Sequence, residues 1–112
     1  MKIELNDQQG YPVLALQGEV DMHSAPGLRE RLLAALQDRP GLIVDMSRVD
    51  FIDSSGIAIL VEGYKRAKQH TQSFALAGVK ATPMQVLQLT RLDKVFPLFR
   101  DVASALRAAS AD

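Results

Sequence analysis

The fold of this chain is decided by residues 42–56, which read LIVDMSRVDFIDSSG. The apolar run Leu42–Val44 predicts a buried β-strand, and a second apolar run, in which Val49 and Phe51 are expected to face the core, follows a polar interval. After Gly56 the apolar residues recur at spacings of three and four, which predicts an amphipathic helix. A buried strand that leads into such a helix is typical of α/β proteins.

Two serines, Ser54 and Ser55, fall at the predicted start of that helix. The first N–H groups of a helix have no partner within it and carry the positive end of its dipole. A phosphate is stabilised at such a place, so the pattern indicates a phosphorylation switch. We expect an exposed Ser54, with Ser55 the better candidate for a helix cap. A plain cap at Asp53–Gly56 is the alternative when the four residues are taken alone.

The amino-terminal part predicts a β-hairpin followed by a helix. Residues 2–5 alternate in polarity, a turn covers residues 6–10, and Val13–Leu16 resumes as a strand. Gly18-Glu19-Val20-Asp21 then leads out of this strand. Ser24 is a good N-cap, and Pro26 in the first helical turn loses no hydrogen bond.

The carboxyl-terminal part predicts a strand over Phe74–Ala77, a helix capped by Thr82 with Pro83 at its first position, and a short edge strand within residues 95–99. Asp101 is expected to cap a last helix, and residues 110–112 to fray. The element order is β-β-α-β-α-β-α-β-α, which predicts an α/β fold. We therefore expect one domain over residues 1–112, with a mixed sheet of four to five strands and about four helices packed against it.

Composition narrows the possible functions. The 112 residues include 13 basic and 13 acidic side chains, and this balance argues against nucleic acid as a partner. The chain has no cysteine, which excludes disulfides, thiolate zinc sites and cysteine nucleophiles. No apolar stretch approaches the ~20 residues of a membrane span, and the first residues do not resemble a signal peptide. We expect a cytoplasmic protein without membrane contact, and we find no metal or cofactor motif.

The pattern resembles the STAS domain, in particular the bacterial anti-sigma-factor antagonists. Two segments carry the resemblance: Gly18-Glu19-Val20-Asp21 after the second strand, and Val44 to Gly56 with its Asp-Ser-Ser-Gly motif. The similarity covers essentially the whole chain. It implies a binding protein and phosphorylation substrate, not an enzyme.

The resemblance also implies a mechanism. The first serine of the motif, here Ser54, would be phosphorylated by an anti-sigma factor with a GHKL-type kinase fold. The unphosphorylated antagonist would bind that kinase and displace a sigma factor, phosphorylation would release it, and a PP2C-type phosphatase would reset it. The implied partner surface joins the loop after the second strand to the motif: Asp21, Met22, His23, Ser24, Asp53, Ser55, Gly56 and Ile57.

Two other functions stay open at this point. A serine hydrolase could combine Ser54 or Ser55 with His23 and an acid, although the Gly-x-Ser-x-Gly elbow is absent. A STAS adaptor could instead serve a transporter, a stressosome-like assembly or a secretion-regulating complex. The sequence names neither the kinase and phosphatase nor the final target.

Overall fold

Five strands form one mixed sheet in the order β1-β2-β3-β4-β5 in a computed structural model that describes residues 1–110. The strands are Lys2–Gln8 (β1), Tyr11–Val20 (β2), Gly41–Ile52 (β3), Ser73–Ala77 (β4) and Leu98–Phe99 (β5). The helices are Ala25–Leu36 (α1), Ser54–Gln69 (α2), Ala81–Leu89 (α3) and Val102–Ser110 (α4), with a 3-10 turn at Leu92–Lys94. The predicted α/β class and element order are confirmed. The expected fraying of the tail falls partly on residues 111 and 112, which lie outside the described range.

The sheet is antiparallel only at the hairpin. β1 pairs antiparallel with β2, whereas β2, β3, β4 and β5 run parallel. Each parallel connection contains a helix, as parallel strands require. β5 is a two-residue strand at the edge, directly after Pro97, and this confirms the predicted edge position.

Each face of the sheet has its own apolar cluster. Alternate residues of β2, β3 and β4 pack with α1, α2 and Leu87 of α3 in the main core. The residues between them, Val13, Ile43, Ala75 and Ala77, meet Ala105 and Leu106 of α4 on the opposite face. Side chains of a strand alternate between faces, so two helical layers can share one sheet. The carboxyl ends of β2 and β3 lie beyond the strand residues that α4 covers.

Strand β3 is much longer than the predicted Leu42–Val44 segment, and β2 likewise continues to Val20. The pairing of β2 with β3 shifts register twice, and each shift inserts an extra residue into β3. A bulge of this kind lets a strand keep its core-facing residues across an interruption. Here it spaces the buried residues Val49 and Ile52 three apart and leaves Phe51 exposed. The expectation that Phe51 faces the core is therefore wrong.

Helix starts were predicted with mixed success. Asp101 accepts a hydrogen bond from the Ser104 N–H (2.8 Å) before α4, and Pro26 lies in the first turn of α1, both as predicted. The start of α3 was wrong: its N-cap is Lys80, Thr82 is helical, and Pro83 lies at the third position. The third position also precedes the first residue whose N–H bonds within the helix, so Pro83 loses no hydrogen bond there.

Candidate functional site

Two predicted segments meet at the carboxyl edge of the sheet. Val20, the last residue of β2, pairs with Ile52, the last residue of β3, and the Asp53 N–H donates to the Val20 carbonyl (3.0 Å). Asp21 and Asp53 therefore follow paired residues of neighbouring parallel strands. The loop of residues 21–24 and the start of α2 lie side by side, as the resemblance implied.

Asp53 caps helix α2. Its backbone is extended (φ −103°, ψ −175°), and its Oδ1 accepts from the N–H groups of Ser55 (2.9 Å) and Gly56 (3.2 Å). The expectation that a serine provides the cap was wrong. Asp is as good an N-cap as Ser, and Asp53 occupies the residue directly before the helix.

Ser54 is the first residue of α2, and its side chain is exposed. Within residues 1–110 its hydroxyl makes no hydrogen bond, because Asp53 already serves the neighbouring amides. Ser55 is only half-buried, and its hydroxyl likewise has no partner in that range. Neither hydroxyl is hydrogen-bonded to His23, so the contacts of a serine-hydrolase triad are not formed among the described residues.

The Asp21–Ser24 loop is held by its own hydrogen bonds. The Asp21 carboxylate accepts from the N–H groups of His23 (3.0 Å) and Ser24 (3.1 Å), and the Asp21 N–H donates to Ser24 Oγ (3.0 Å). The Ser24 N–H is the largest cause that lowers the pKa of Asp21 below its ordinary value; burial opposes it to a smaller extent, and the His23 N–H adds to the lowering. Ser24 occupies the predicted N-cap position of α1, but its hydroxyl closes the loop instead of capping the helix.

Gly56 and Ile57 are buried, so neither offers a side chain to a partner in this structure. A Cβ on Gly56 would come 2.6 Å from Val20 Cγ1 and 2.7 Å from Ile52 Cγ1. Such distances are far inside van der Waals contact, so only glycine lets α2 start this close to β2 and β3. Gly56 and Ile57 therefore pack inside the domain, and their place on the partner surface stays a prediction.

Exposed apolar side chains lie near this edge. Met22 is 67% exposed and Phe51 is 42% exposed, while His23 beside Met22 is also exposed. Sequence reasoning included Met22 and His23 in the predicted partner surface and expected Phe51 to be buried. Strict alternation would place Val49 and Phe51 on the same face of the sheet. The residue types between them do not indicate the bulge that separates them.

Groups of three or more metal-ligating side chains are not found within residues 1–110, and none of the described helices has the length and apolar character of a membrane span. The fold and the site together define a small α/β domain that presents a serine hydroxyl beside a hydrogen-bonded loop. The chain belongs to the STAS domain family, whose model matches residues 2–105. The resemblance carried by the two sequence segments is thereby confirmed.

Several of the similar proteins are described as anti-sigma factor antagonists. The chain is 30% identical over 105 residues to the anti-sigma-F factor antagonist RsfB of Mycobacterium tuberculosis, covering 93% of this chain and 85% of that protein. It is 26% identical over 108 residues to the anti-sigma F factor antagonist of Paenibacillus polymyxa, covering 95% and 92%. A crystal structure of an anti-sigma factor antagonist from Mycobacterium paratuberculosis matches with a TM-score of 0.90 at 32% identity, covering 98% and 94%.

Proposed function

We propose that this chain is an anti-sigma-factor antagonist of a partner-switching pathway, acting as one domain of residues 1–112. In its unphosphorylated form it binds an anti-sigma factor that is also a GHKL-type serine kinase. Phosphorylation of Ser54 releases it, and a PP2C-type phosphatase restores the binding form. The descriptions of the similar proteins support the role, and the geometry of Ser54 supports the choice of residue.

The observation that carries the proposal is the free hydroxyl of Ser54. Asp53 caps the helix, so the Ser54 side chain is exposed at the first helical position without a hydrogen bond in residues 1–110. Its Oγ can attack the γ-phosphorus of ATP bound to the kinase. The O–P bond to ADP then breaks, ADP leaves, and the hydroxyl proton passes to a base of the kinase. The phosphatase adds water to the phosphoserine and returns the hydroxyl and inorganic phosphate.

Phosphorylation would act on docking more than on the fold. A phosphoserine adds about −1.5 to −2 charges. The amides of Ser55 and Gly56 already donate to the Asp53 carboxylate, so they are not available to a phosphate on Ser54. Asp53 would instead repel the new charge. A dianion without an internal partner is costly to bury in an interface, so affinity for the kinase falls while the domain stays folded.

The test begins with the kinase. Ser54→Ala cannot be phosphorylated, so we expect it to retain a GHKL-type protein from the native cytosol; that protein is then purified. With ATP it should phosphorylate the wild-type chain, and mass spectrometry should locate the phosphate on Ser54. Ser55→Ala is the matched control and should still be modified. Calorimetric titration should show tight binding of Ser54→Ala and ten- to a hundredfold weaker binding of Ser54→Asp, at about 1.4 kcal/mol per decade.

Three results would contradict the proposal: phosphate on Ser55 alone, a Ser54→Asp variant that binds like the wild type, or a folded Ser54→Ala variant that fails to bind. Retention of transporter subunits in place of a kinase would favour the adaptor function. Ester turnover by the purified chain, lost in Ser54→Ala, would favour the hydrolase.

A further inference from the structure

Phe51 is a large exposed aromatic side chain in an otherwise well-packed sheet. Its neighbour Ile52 points into the core with α1 and α2, so Phe51 projects from the opposite face of β3. α4 covers that face only around residues such as Ile43. Phe51 is eight residues further along the strand, a distance of up to about 26 Å, while α4 has nine residues and is about 14 Å long. No helix among the described residues covers Phe51.

Phe51 is close enough to Ser54 to lie within a kinase interface of ordinary size. Three residues of chain separate the two Cα atoms by at most about 11 Å. A stable protein interface covers about 800 Å² on each partner, which corresponds to a disc of radius about 16 Å. The radius of such an interface exceeds the distance between the two Cα atoms. A kinase centred on Ser54 therefore contacts Phe51 if its surface covers both faces of the strand end.

The charges around Phe51 describe the surface that fits it. Glu19 is its register partner on β2, is exposed, and forms no ion pair within residues 1–110. Asp50, the residue before Phe51, is already paired with Lys80 (2.7 Å). The site therefore offers an aromatic side chain with one free carboxylate beside it. A complementary surface has an apolar pocket bordered by a basic group.

We propose that Phe51 is an anchor for the kinase, and that the docking surface continues from Met22 and Ser54 over the strand end onto the open face of the sheet. The proposal rests on the function proposed above, because its occupant is the kinase that modifies Ser54. Exposed aromatic and Met side chains that become buried in pockets supply much of the energy of an interface. The Cα of Ser54 lies at most about 11 Å from that of Phe51, so a phosphate on Ser54 would add charge to the same docking surface.

The experiment uses the full chain and the purified kinase that phosphorylates Ser54 in the assay above. Phe51→Ala is compared with Leu89→Ala, because Leu89 is 85% exposed and lies at the last residue of α3. That helix starts after the carboxyl end of β4, and Leu89 lies about 12 Å along it from its first residue, Ala81. Phe51→Thr is a second variant that keeps the preference for a strand. Thermal melts establish that each variant is folded.

We expect Phe51→Ala and Phe51→Thr to bind the kinase ten- to a hundredfold more weakly than the wild type. Leu89→Ala should bind within twofold of it. In the phosphorylation assay, KM for the Phe51 variants should rise by a similar factor while kcat stays within twofold, because the anchor acts in docking and not at the reacting oxygen.

Two outcomes would overturn the anchor. Folded Phe51 variants could bind and be phosphorylated like the wild type, or Leu89→Ala could lose as much affinity as Phe51→Ala. Both leave the switch at Ser54 intact. A wild-type chain that no kinase modifies at Ser54 would instead remove the proposed function, and the anchor with it.

Discussion

The ends of β2 and β3 share one arrangement of hydrogen bonds, but the serine that follows is hydrogen-bonded at the first and not at the second. After each strand an aspartate accepts hydrogen bonds from two backbone N–H groups: Asp21 from residues 23 and 24, and Asp53 from residues 55 and 56. Ser24 is then held by the Asp21 N–H (3.0 Å), and its hydroxyl lies 3.2 Å from the Asp21 carbonyl. Ser54 has no hydrogen bond from its hydroxyl within residues 1–110.

The distance between the aspartate and the helix explains this difference. Asp21 comes four residues before α1, so the chain must close a turn, and the hydroxyl of Ser24 completes it. Asp53 comes directly before α2 and caps the helix by itself, which leaves the next residue on the outside of the first turn. A serine is therefore available for chemistry when another side chain has already satisfied the backbone around it.

The largest expected effect tests how tightly each helix start is packed. Both helices have glycine at the third position, Gly27 in α1 and Gly56 in α2. Gly56→Ala should lower the free energy of unfolding by about 1–3 kcal/mol, because its Cβ collides with Val20 and Ile52. Gly27→Ala should be neutral or stabilise by up to about 1 kcal/mol, since its Cβ meets nothing within 4 Å. Urea unfolding of both variants measures the contrast.

Equal changes in the two glycine variants would show that the packing of α2 on β2 and β3 is not the constraint at Gly56. If the Gly56→Ala variant is less stable but is still phosphorylated at Ser54, the packing of Gly56 matters for the stability of the domain and not for the phosphorylation of Ser54.

An intermediate effect is expected for the serines themselves. Ser24→Ala removes the acceptor of the Asp21 N–H and should cost about 0.5–1.5 kcal/mol of stability. Ser54→Ala removes no hydrogen bond in residues 1–110 and should change stability by less than about 0.5 kcal/mol. Thermal and urea unfolding provide the comparison. A Ser54→Ala variant as destabilised as Ser24→Ala would mean that Ser54 has a structural role.

The sequence predicted the elements better than their ends. The apolar runs Val13–Leu16 and Phe74–Ala77, and the helical spacing after Gly56, determined the α/β order because they indicate which residues are buried. Asp101 was identified correctly because no competing capping residue stands beside it. At Asp53 three capping residues are consecutive, Asp-Ser-Ser, and only the exact start of the helix decides between them.

The missed features depend on contacts between distant segments. The two bulges of β3 come from its pairing with β2, and they put Val49 in the core while Phe51, two residues later, lies on the opposite face. The tight fit of Gly56 depends on Val20, 36 residues earlier in the numbering. A glycine at the end of a motif is equally consistent with partner access and with internal packing, so residue type could not distinguish them.

The smallest expected effect is the pH dependence of the Asp21 loop. The Ser24 N–H holds the pKa of Asp21 below its ordinary value of 3.8 in the folded chain; burial opposes this to a smaller extent, and the His23 N–H adds to the lowering. A carboxyl group whose pKa is lower in the folded state stabilises that state above the unfolded pKa. This contribution is lost as the pH falls through the folded pKa.

Asp21→Asn keeps an acceptor oxygen but has no charge to lose. Its melting temperature should therefore lie slightly below that of the wild type from about pH 5 to neutral, and the difference should shrink as the pH falls below 3.8. Melts of both proteins at matched ionic strength between about pH 3 and 7 measure this. A difference that stays constant over that range would show that the loop holds Asp21 by shape alone, without preference for its charged form.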